Sequence, residues 1–505
     1  MKLNRTTLLC FFCMALALAT PSVAVSGMEE IRIGSKTFTE SVILAELAAR
    51  LSASTGARVT QRRELGGTRL LWDALLANEI DIYPEYAGTL TGEILAREGV
   101  VGEEGLAQAL ATKGLRMSRP LGFSNSYALG MTAEEARRFG ISRLSDLSRH
   151  PSLRFGFSHE FLNRADGWPA LRATYGLGAV DARGLDHDLA YRGLVQGSID
   201  VIDLYTTDAE IGFYGLRVLE DDLGLFHANN AVFVYRADLE RRAPKALQAI
   251  LRLEGRIDEE SMTAMNRAVK INGRAEAGAA AEFVAAKFGL SNLTPTEGMA
   301  GRLLQRTLEH LRLTALSLGA AIIVALPLGV LAARLAVLGQ AILTAASIVQ
   351  TIPSLALLVF MIPILGIGAA PAIMALFLYS LLPIIRNTAS GLADIPLAIR
   401  NSAIALGLTP LQRLRLIELP IASPVILAGI KTAAVINVGT ATLGALIGAG
   451  GYGQPIFTGV RLDNFGLILE GAVPAAVLAL AAQGFFSLVE LFLVPRGLRL
   501  KPTVE

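Results

Sequence analysis

Cysteine is almost absent from this 505-residue sequence: Cys10 and Cys13 are its only two, and both stand in the first apolar run. A disulfide scaffold, a cysteine-rich zinc site and an iron–sulfur cluster are therefore excluded. The five histidines, His150, His159, His187, His227 and His310, are scattered and form no zinc-hydrolase His-Glu-x-x-His pair. Charged residues make up 18%, against roughly 25% in an average soluble protein. A formal net charge of +2 gives nucleic-acid binding no support. The nucleotide-binding pattern G-x-x-x-x-G-K-[ST] is missing at Lys36, because Ser35 precedes it. No nucleophile–base constellation suggests a hydrolase.

What is plentiful is apolar surface, at 52% hydrophobic residues and a mean hydropathy of +0.48. It is unevenly spread. From residue 28 to about 306 the chain is dense in Asp, Glu and Arg, whereas between 313 and 494 charges become rare and Ala, Leu, Ile and Gly dominate. A soluble half is joined to a membrane half, in a chain too long for one ordinary core. At the start, Lys2 and Arg5 precede the apolar stretch from Leu8 to Ala19, followed by Pro21 and Ser22-Val23-Ala24. Residues 1–24 are expected to be a secretory signal peptide; an uncleaved anchor is the alternative, and either one exports the soluble half.

The soluble half repeats itself. Ile31-Arg32-Ile33-Gly34-Ser35-Lys36 parallels Leu153-Arg154-Phe155-Gly156-Phe157-Ser158, and the stretch from Trp72 through Asp81 to Ile82 parallels that from Tyr191 through Asp200 to Val201. Each copy then places a tyrosine, Tyr86 or Tyr205, four residues beyond the aspartate–apolar pair. Strands alternating with helices predict two α/β lobes, and a cleft between lobes is a preferred ligand site. The chain is expected to cross between lobes near 124–129 and to return near 226–234.

Five apolar segments, 313–333, 342–363, 369–385, 425–447 and 472–494, come near the roughly 20 residues that a helical span needs. Arg334, Arg386, Arg400, Arg413 and Arg415, with Arg496, Arg499 and Lys501, fall at alternate connections, which the positive-inside rule makes cytoplasmic. The soluble half is then outside, where the signal segment sends it. In the longest cytoplasmic connection, 386–420, Asn401-Ser402-Ala403 leads to Gly407, and Ile417-Glu418-Leu419-Pro420 stands further on. The spacing predicts a helix stopped at Gly407 and a second short helix opened by Thr409-Pro410.

That loop resembles the EAA coupling loop of ABC importer permeases, although Asn401-Ser402-Ala403 stands where the pattern begins Glu-Ala-Ala. Ile436-Asn437-Val438-Gly439-Thr440-Ala441-Thr442 and Gly448-Ala449-Gly450-Gly451-Tyr452-Gly453 are similar to permeases of the osmoprotectant (glycine betaine/carnitine/choline) branch. The soluble half resembles the matching substrate-binding proteins through Gly34-Ser35-Lys36-Thr37-Phe38-Thr39-Glu40, Gly66-Gly67-Thr68, Tyr83-Pro84-Glu85-Tyr86-Ala87-Gly88-Thr89, Asn125-Ser126-Tyr127-Ala128-Leu129 and Leu204-Tyr205-Thr206-Thr207-Asp208. The resemblance implies an α/β bilobal periplasmic-binding-protein fold, type II-like, fused to an all-α polytopic ABC importer transmembrane domain. The binding domain would span 28–293, with lobe one 28–124 and 230–293 and lobe two 129–225. The permease would span 305–497 with about five helices and coupling loop 386–420, in a bacterial inner membrane with the binding domain on the periplasmic side.

The resemblance also implies the site. Tyr86, Tyr127 and Tyr205 match the family's aromatic cage, and a quaternary ammonium needs aromatic faces because it donates no classical hydrogen bond. Lys36, Thr89 and Arg164 match the positions that hold a betaine's carboxylate. Asn229 occupies the place of a fourth tyrosine, and Asn125 that of an acidic residue in some relatives. Taken singly, Tyr86 and Tyr205 read as core residues at strand ends, and Arg164 has the alternative of a surface pair with Asp166; the recurrence of the tyrosines at matched lobe positions, with the resemblance, turns the reading to ligand binding. The implied function is ATP-driven import of a betaine-type quaternary ammonium solute; the alternatives are ergothioneine or another larger zwitterion, or a ligand-gated channel or sensor. The implied partners are a separate cytoplasmic ATPase, bringing ATP and Mg, and a second copy of the chain. Ala403, Gly407, Ile417, Leu419 and Pro420 would form the ATPase-coupling surface, with no cofactor or metal on this chain.

Overall fold

The computed structural model describes residues 28–100, 102–178, 180–290, 299–462 and 464–494. The expected signal peptide and the basic C-terminal residues Arg496, Arg499 and Lys501 lie outside the described residues. The chain divides into two compact units, one built from the described residues up to 290 and the other from those from 299 onward; residues 460–462 and 464 cluster with the first.

The first unit contains two five-stranded sheets of matching topology. In sheet one, β1 (Glu30–Gly34), β2 (Arg58–Arg62), β3 (Ile82–Tyr86), β4 (Leu115–Met117) and β10 (Ala231–Arg236) lie in the order β2-β1-β3-β10-β4. In sheet two, β5 (Tyr127–Thr132), β6 (Phe155–Ser158), β7 (Ala182–Leu185), β8 (Val201–Tyr205) and β9 (Leu216–Val218) lie in the order β7-β6-β8-β5-β9. In each sheet three strands are parallel and the remaining two pairings antiparallel. The sequence repeat is thus a structural one, down to its polar anchors. Asp81 accepts the Arg32 backbone N–H at 2.7 Å and its guanidinium at 2.7 Å. Asp200 does the same for Arg154, at 2.7 Å and 2.6 Å. Each pair ties one strand, at Arg32 within β1 or at Arg154 just before β6, to the residue before its parallel neighbour.

Helix Thr39–Ala53 is buried on nearly every side, which its apolar and small residues permit; it packs against helices Pro244–Leu251, Glu259–Lys270 and Glu276–Phe288. Sheet two rests on an aromatic core in which Trp168 lies 5.1 Å from Phe157 and 5.8 Å from Phe155. Both tryptophans, Trp72 and Trp168, are core residues. Two antiparallel crossover segments join the sheets: Ser124 and Asn230 form a β-bridge, and the Asn125 N–H donates to the Asn229 carbonyl at 3.0 Å.

The second unit is helical. Helices Met299–Arg334, Ala369–Ala393 and Phe465–Leu493, with the stretch Pro410–Ile447, are long and apolar enough to cross a membrane. The stretch 342–363, expected as one span, is instead divided between Ala336–Thr351 and Ser354–Leu365, which meet at 99°. The reason is local: Pro353 has no N–H to continue the ladder and pushes Ile352 into an extended conformation. Small residues let the long helices approach: a Cβ on Gly329 would lie 2.5 Å from the Thr388 Cβ, and one on Gly429 would lie 2.7 Å from the Pro383 carbonyl oxygen. A buried polar relay links three of them, with Asn437 donating to Ser317 at 3.0 Å and accepting from Ser380 at 3.0 Å. Most of Phe465–Leu493 is apolar and uncovered, Phe492 being 85% exposed, as suits a surface facing lipid.

Candidate functional sites

The cleft of the first unit is assembled at strand ends. Tyr86 closes β3 and Tyr205 closes β8. Tyr127 opens β5 directly opposite Tyr205 in the antiparallel register, and such opposed side chains meet: their rings lie 5.3 Å apart. Tyr127 also meets Phe161 edge-on at 4.9 Å and Phe226 at 6.3 Å. Phe38, just before helix Thr39–Ala53, stacks on Tyr86 at 6.2 Å and on Tyr205 at 5.7 Å. One ring from the sheet-one side therefore joins tyrosines of both sheets. The three predicted tyrosines belong to this continuous aromatic surface.

The predicted cations lie beside it. The Arg164 guanidinium stands 5.4 Å from the Tyr127 ring. It also holds Asp166 in a two-pronged pair, Nε to Oδ1 at 2.8 Å and Nη2 to Oδ2 at 2.6 Å. Its 9% exposure removes it from the class of ordinary surface pairs. Burial pushes its pKa down, but Tyr127 and Asp166 outweigh that and leave it above the ordinary arginine value. Lys36, 5.6 Å from the Tyr86 ring, donates from Nζ to Glu85 at 2.5 Å and Thr68 at 3.0 Å, all three groups being buried. Thr89 is buried in the short turn after Tyr86. Asn229, expected in a ligand wall, accepts the Gly88 N–H at 2.8 Å and so holds that turn. Burial raises the phenols of Tyr86, Tyr127 and Tyr205 above their ordinary value, so each remains a neutral aromatic donor at physiological pH.

Several residues given no role by the sequence complete the site. Glu40 is fully enclosed and accepts from Tyr86 at 2.5 Å, Thr207 at 2.6 Å, Asn125 at 2.8 Å and Asn266 at 3.0 Å. Burial raises its carboxyl above the ordinary value, against the pull of those donors. His187 lies 4.6 Å from the Tyr205 ring and 2.9 Å from Asp208. Burial lowers its pKa, while Asp208 and Asp203 raise it further, leaving it well above the ordinary histidine value. Phe38, Glu40 and Thr207 stand in motifs that carry the family resemblance, which was the available signal; Asn266 and His187 lie outside them and gave none.

In the second unit, helix Leu397–Ala405 ends at Gly407, whose φ of +73° is the left-handed stop that glycine favours. Thr409 then caps helix Pro410–Arg413: its hydroxyl accepts the Gln412 N–H at 3.4 Å, and the Gln412 side chain accepts the Thr409 N–H at 2.9 Å. Ala403 is buried, and Ile417, Leu419 and Pro420 are half-buried. Buried Glu418 holds the hairpin to the first long helix by pairing with Arg334, and it also pairs with Arg413 at 3.2 Å. Leu397, Leu406, Leu411 and Leu416 remain exposed.

An aromatic surface shared by two α/β lobes, carried on a chain with apolar helices of span length and a capped pair of short helices, defines a membrane transport protein with its own solute-binding domain. Residues 29–286 match the family described as the substrate binding domain of the ABC-type glycine betaine transport system. Residues 325–496 match the binding-protein-dependent transport system inner membrane component. The chain belongs to these ABC transport families, as a fusion of binding domain and integral membrane permease rather than an enzyme, channel or sensor.

Among curated relatives, a choline transport system permease of Bacillus subtilis is 43% identical over 199 residues, covering 39% of this chain and 92% of its own length. An osmoprotectant import permease of Salmonella typhimurium is 42% identical over 205 residues, covering 40% of this chain and 95% of its own length. A solved glycine betaine/carnitine/choline ABC transporter structure is 27% identical, covers 51% of this chain and 98% of its own, and has a TM-score of 0.44.

Proposed function

We propose that this chain captures a betaine-type quaternary ammonium solute of the glycine betaine, choline and carnitine class and passes it inward through its own membrane helices. The observation that carries the reading is the continuous aromatic surface of Tyr86, Phe38, Tyr205 and Tyr127, contributed from both lobes and flanked by Arg164. Each aromatic–cation contact contributes about 0.5–2 kcal/mol, more when water is excluded. Lys36, Thr89 and Arg164 would receive a carboxylate, Asn125 would line the cation end, and Asn229 would support the wall. The names of the relatives favour this class over ergothioneine. The binding domain, 28–293 with lobes 28–124 plus 230–293 and 129–225, would stand on the periplasmic side of the inner membrane, the permease occupying 305–497.

Transport is powered by a separate cytoplasmic ATPase that binds ATP and Mg and docks on 386–420. Ala403 and Gly407 shape the first helix of that hairpin, and Ile417, Leu419 and Pro420 seat the second. Two copies of the chain would assemble around one pathway. The test is uptake of labelled choline, glycine betaine and carnitine into vesicles holding the full chain with and without its ATPase. Uptake should require the ATPase and ATP; equal uptake without them would refute the coupling.

A further inference from the structure

The buried carboxylate of Glu40 presents an electrostatic problem. It is 3% exposed, yet among the described residues no lysine or arginine pairs with it. The nearby cations are engaged elsewhere: Lys36 with Glu85 at 2.5 Å, Lys270 with Asp188 and Glu210 at 2.6 Å each, and His187 with Asp208 at 2.9 Å. All four groups bonded to Glu40 are donors: the Tyr86 and Thr207 hydroxyls and the Asn125 and Asn266 amides. A carboxylate has about four lone-pair sites and, when ionised, only accepts. The two amides can only donate, and with the two hydroxyls donating as well the four fill the acceptor sites of an ionised carboxylate, against the upward push of burial. A buried negative charge without a basic partner is costly, and here it is placed against one ring of the proposed aromatic cage.

We propose that Glu40 is the specificity-determining countercharge of this cleft, selecting ligands that carry a positive charge over neutral molecules of the same shape. This rests on the binding function proposed above and deepens it. Glu40 acts through other residues. The Tyr86 hydroxyl, donating to a carboxylate at 2.5 Å, gives up electron density toward its ring, and a more electron-rich face attracts a cation more strongly. The Asn125 amide hydrogen is turned to Glu40, and its Oδ1 is left with no hydrogen-bond partner. That leaves the negative end of the amide dipole free for a positive group. The arriving cation would then supply the charge balance that the described protein residues do not. Because Thr207 follows β8 while Tyr86 and Asn266 belong with sheet one, the same carboxylate ties both lobes around the site.

The test uses the full chain in detergent, titrated calorimetrically with choline and with 3,3-dimethyl-1-butanol, the isostere with carbon in place of nitrogen. The wild-type chain should prefer choline by about tenfold or more. In Glu40→Gln, choline should weaken about tenfold while the isostere changes less than about threefold, so the preference collapses. Equal weakening of both ligands would mark Glu40 as a structural brace and overturn the proposal, as would an unchanged ratio or a wild-type chain that does not discriminate. If Glu40→Gln fails to fold, Tyr86→Phe decides: it keeps the ring and removes the donor, so the choline preference must fall, and an unchanged preference refutes the route through Tyr86. A wild-type chain binding none of choline, glycine betaine or carnitine would refute the proposed function itself, which is a separate result.

Discussion

Strand β3 ends in Tyr86 and strand β8 ends in Tyr205, at matching positions of two sheets with the same order, yet their neighbours differ. Opposite Tyr205 in the antiparallel register stands Tyr127; opposite Tyr86 stands Ala231. Sheet two therefore builds its aromatic wall from paired strands, extended by Phe161 and Phe226. Sheet one borrows its second ring, Phe38, from the approach to a helix. The polar partners diverge too. Ser158, the last residue of β6, gives its N–H and hydroxyl to Asp203 at 2.6 Å each, whereas Lys36 after β1 pairs with Glu85 at 2.5 Å. The backbone frame is repeated, and single residues on it decide which lobe offers apolar faces and which offers charge.

The largest expected effect tests the frame. Asp81 is fully buried and has two arginine partners, Arg32 at 2.7 Å and Arg242 at 2.5 Å; among the described residues Asp200 has only Arg154. Arg32→Ala with Arg242→Ala should destabilise sheet one by about 3 kcal/mol, because an unpaired buried carboxylate remains. Arg154→Ala should loosen sheet two in the same direction but less. Hydrogen exchange at β1 and β6 would read the two sheets separately; equal losses would abolish the asymmetry. The pH dependence sharpens this. Burial raises both aspartates, but their arginine bonds outweigh it and hold both below the ordinary value. Their contribution is therefore complete above about pH 4 and is lost as pH falls through the lower folded values. Without its arginines Asp81 keeps the Arg32 backbone N–H but loses the two charges that hold its value down, so in the double variant the acid-induced loss of protection at β1 should shrink while that at β6 persists.

The next effect tests the aromatic difference. Tyr127→Ala gives sheet two the small opposing residue that sheet one already has. It removes the ring that meets Tyr205, Phe161, Phe226 and the Arg164 guanidinium. Choline affinity should fall by about 2 kcal/mol, roughly thirtyfold in Kd, while the Arg154–Asp200 anchor keeps the sheet folded. An unchanged Kd by calorimetry would mean that the paired tyrosines serve packing rather than capture.

The parts legible in the sequence were those written in local order. Both copies of the strand–Asp–Tyr unit could be aligned because their spacing is repeated, and Gly407 with Thr409-Pro410 announced the hairpin because stop and start chemistry lies within a few residues. The Glu40 hub was not legible in that way. Its donors lie between 46 and 226 residues away along the chain, and nothing in their spacing joins them before the lobes come together. At Pro353 the sequence shows a residue that interrupts the helix ladder, but an interrupted apolar run of span length does not show how sharply it bends, which the conformation of Ile352 decides.

Asn229 offers the smallest and most local test. The family resemblance puts it in the place of a cage tyrosine, yet its Oδ1 accepts the Gly88 N–H and its own N–H donates to Ser124 at 2.8 Å, so it fastens the turn carrying Thr89 to the crossover. The side-chain bond is a single neutral one, worth about 1 kcal/mol net. Asn229→Ala should therefore weaken choline by roughly fivefold, through misplacement of residues 87–89 rather than loss of a ligand contact. Asn229→Asp keeps the acceptor and should hold the affinity within about twofold. A glycine betaine titration separates the two roles: if Thr89 meets the carboxylate, Asn229→Ala must weaken glycine betaine more than choline. Equal weakening would place Asn229 at the cation end, making sheet one's wall more like sheet two's than its hydrogen bonds indicate.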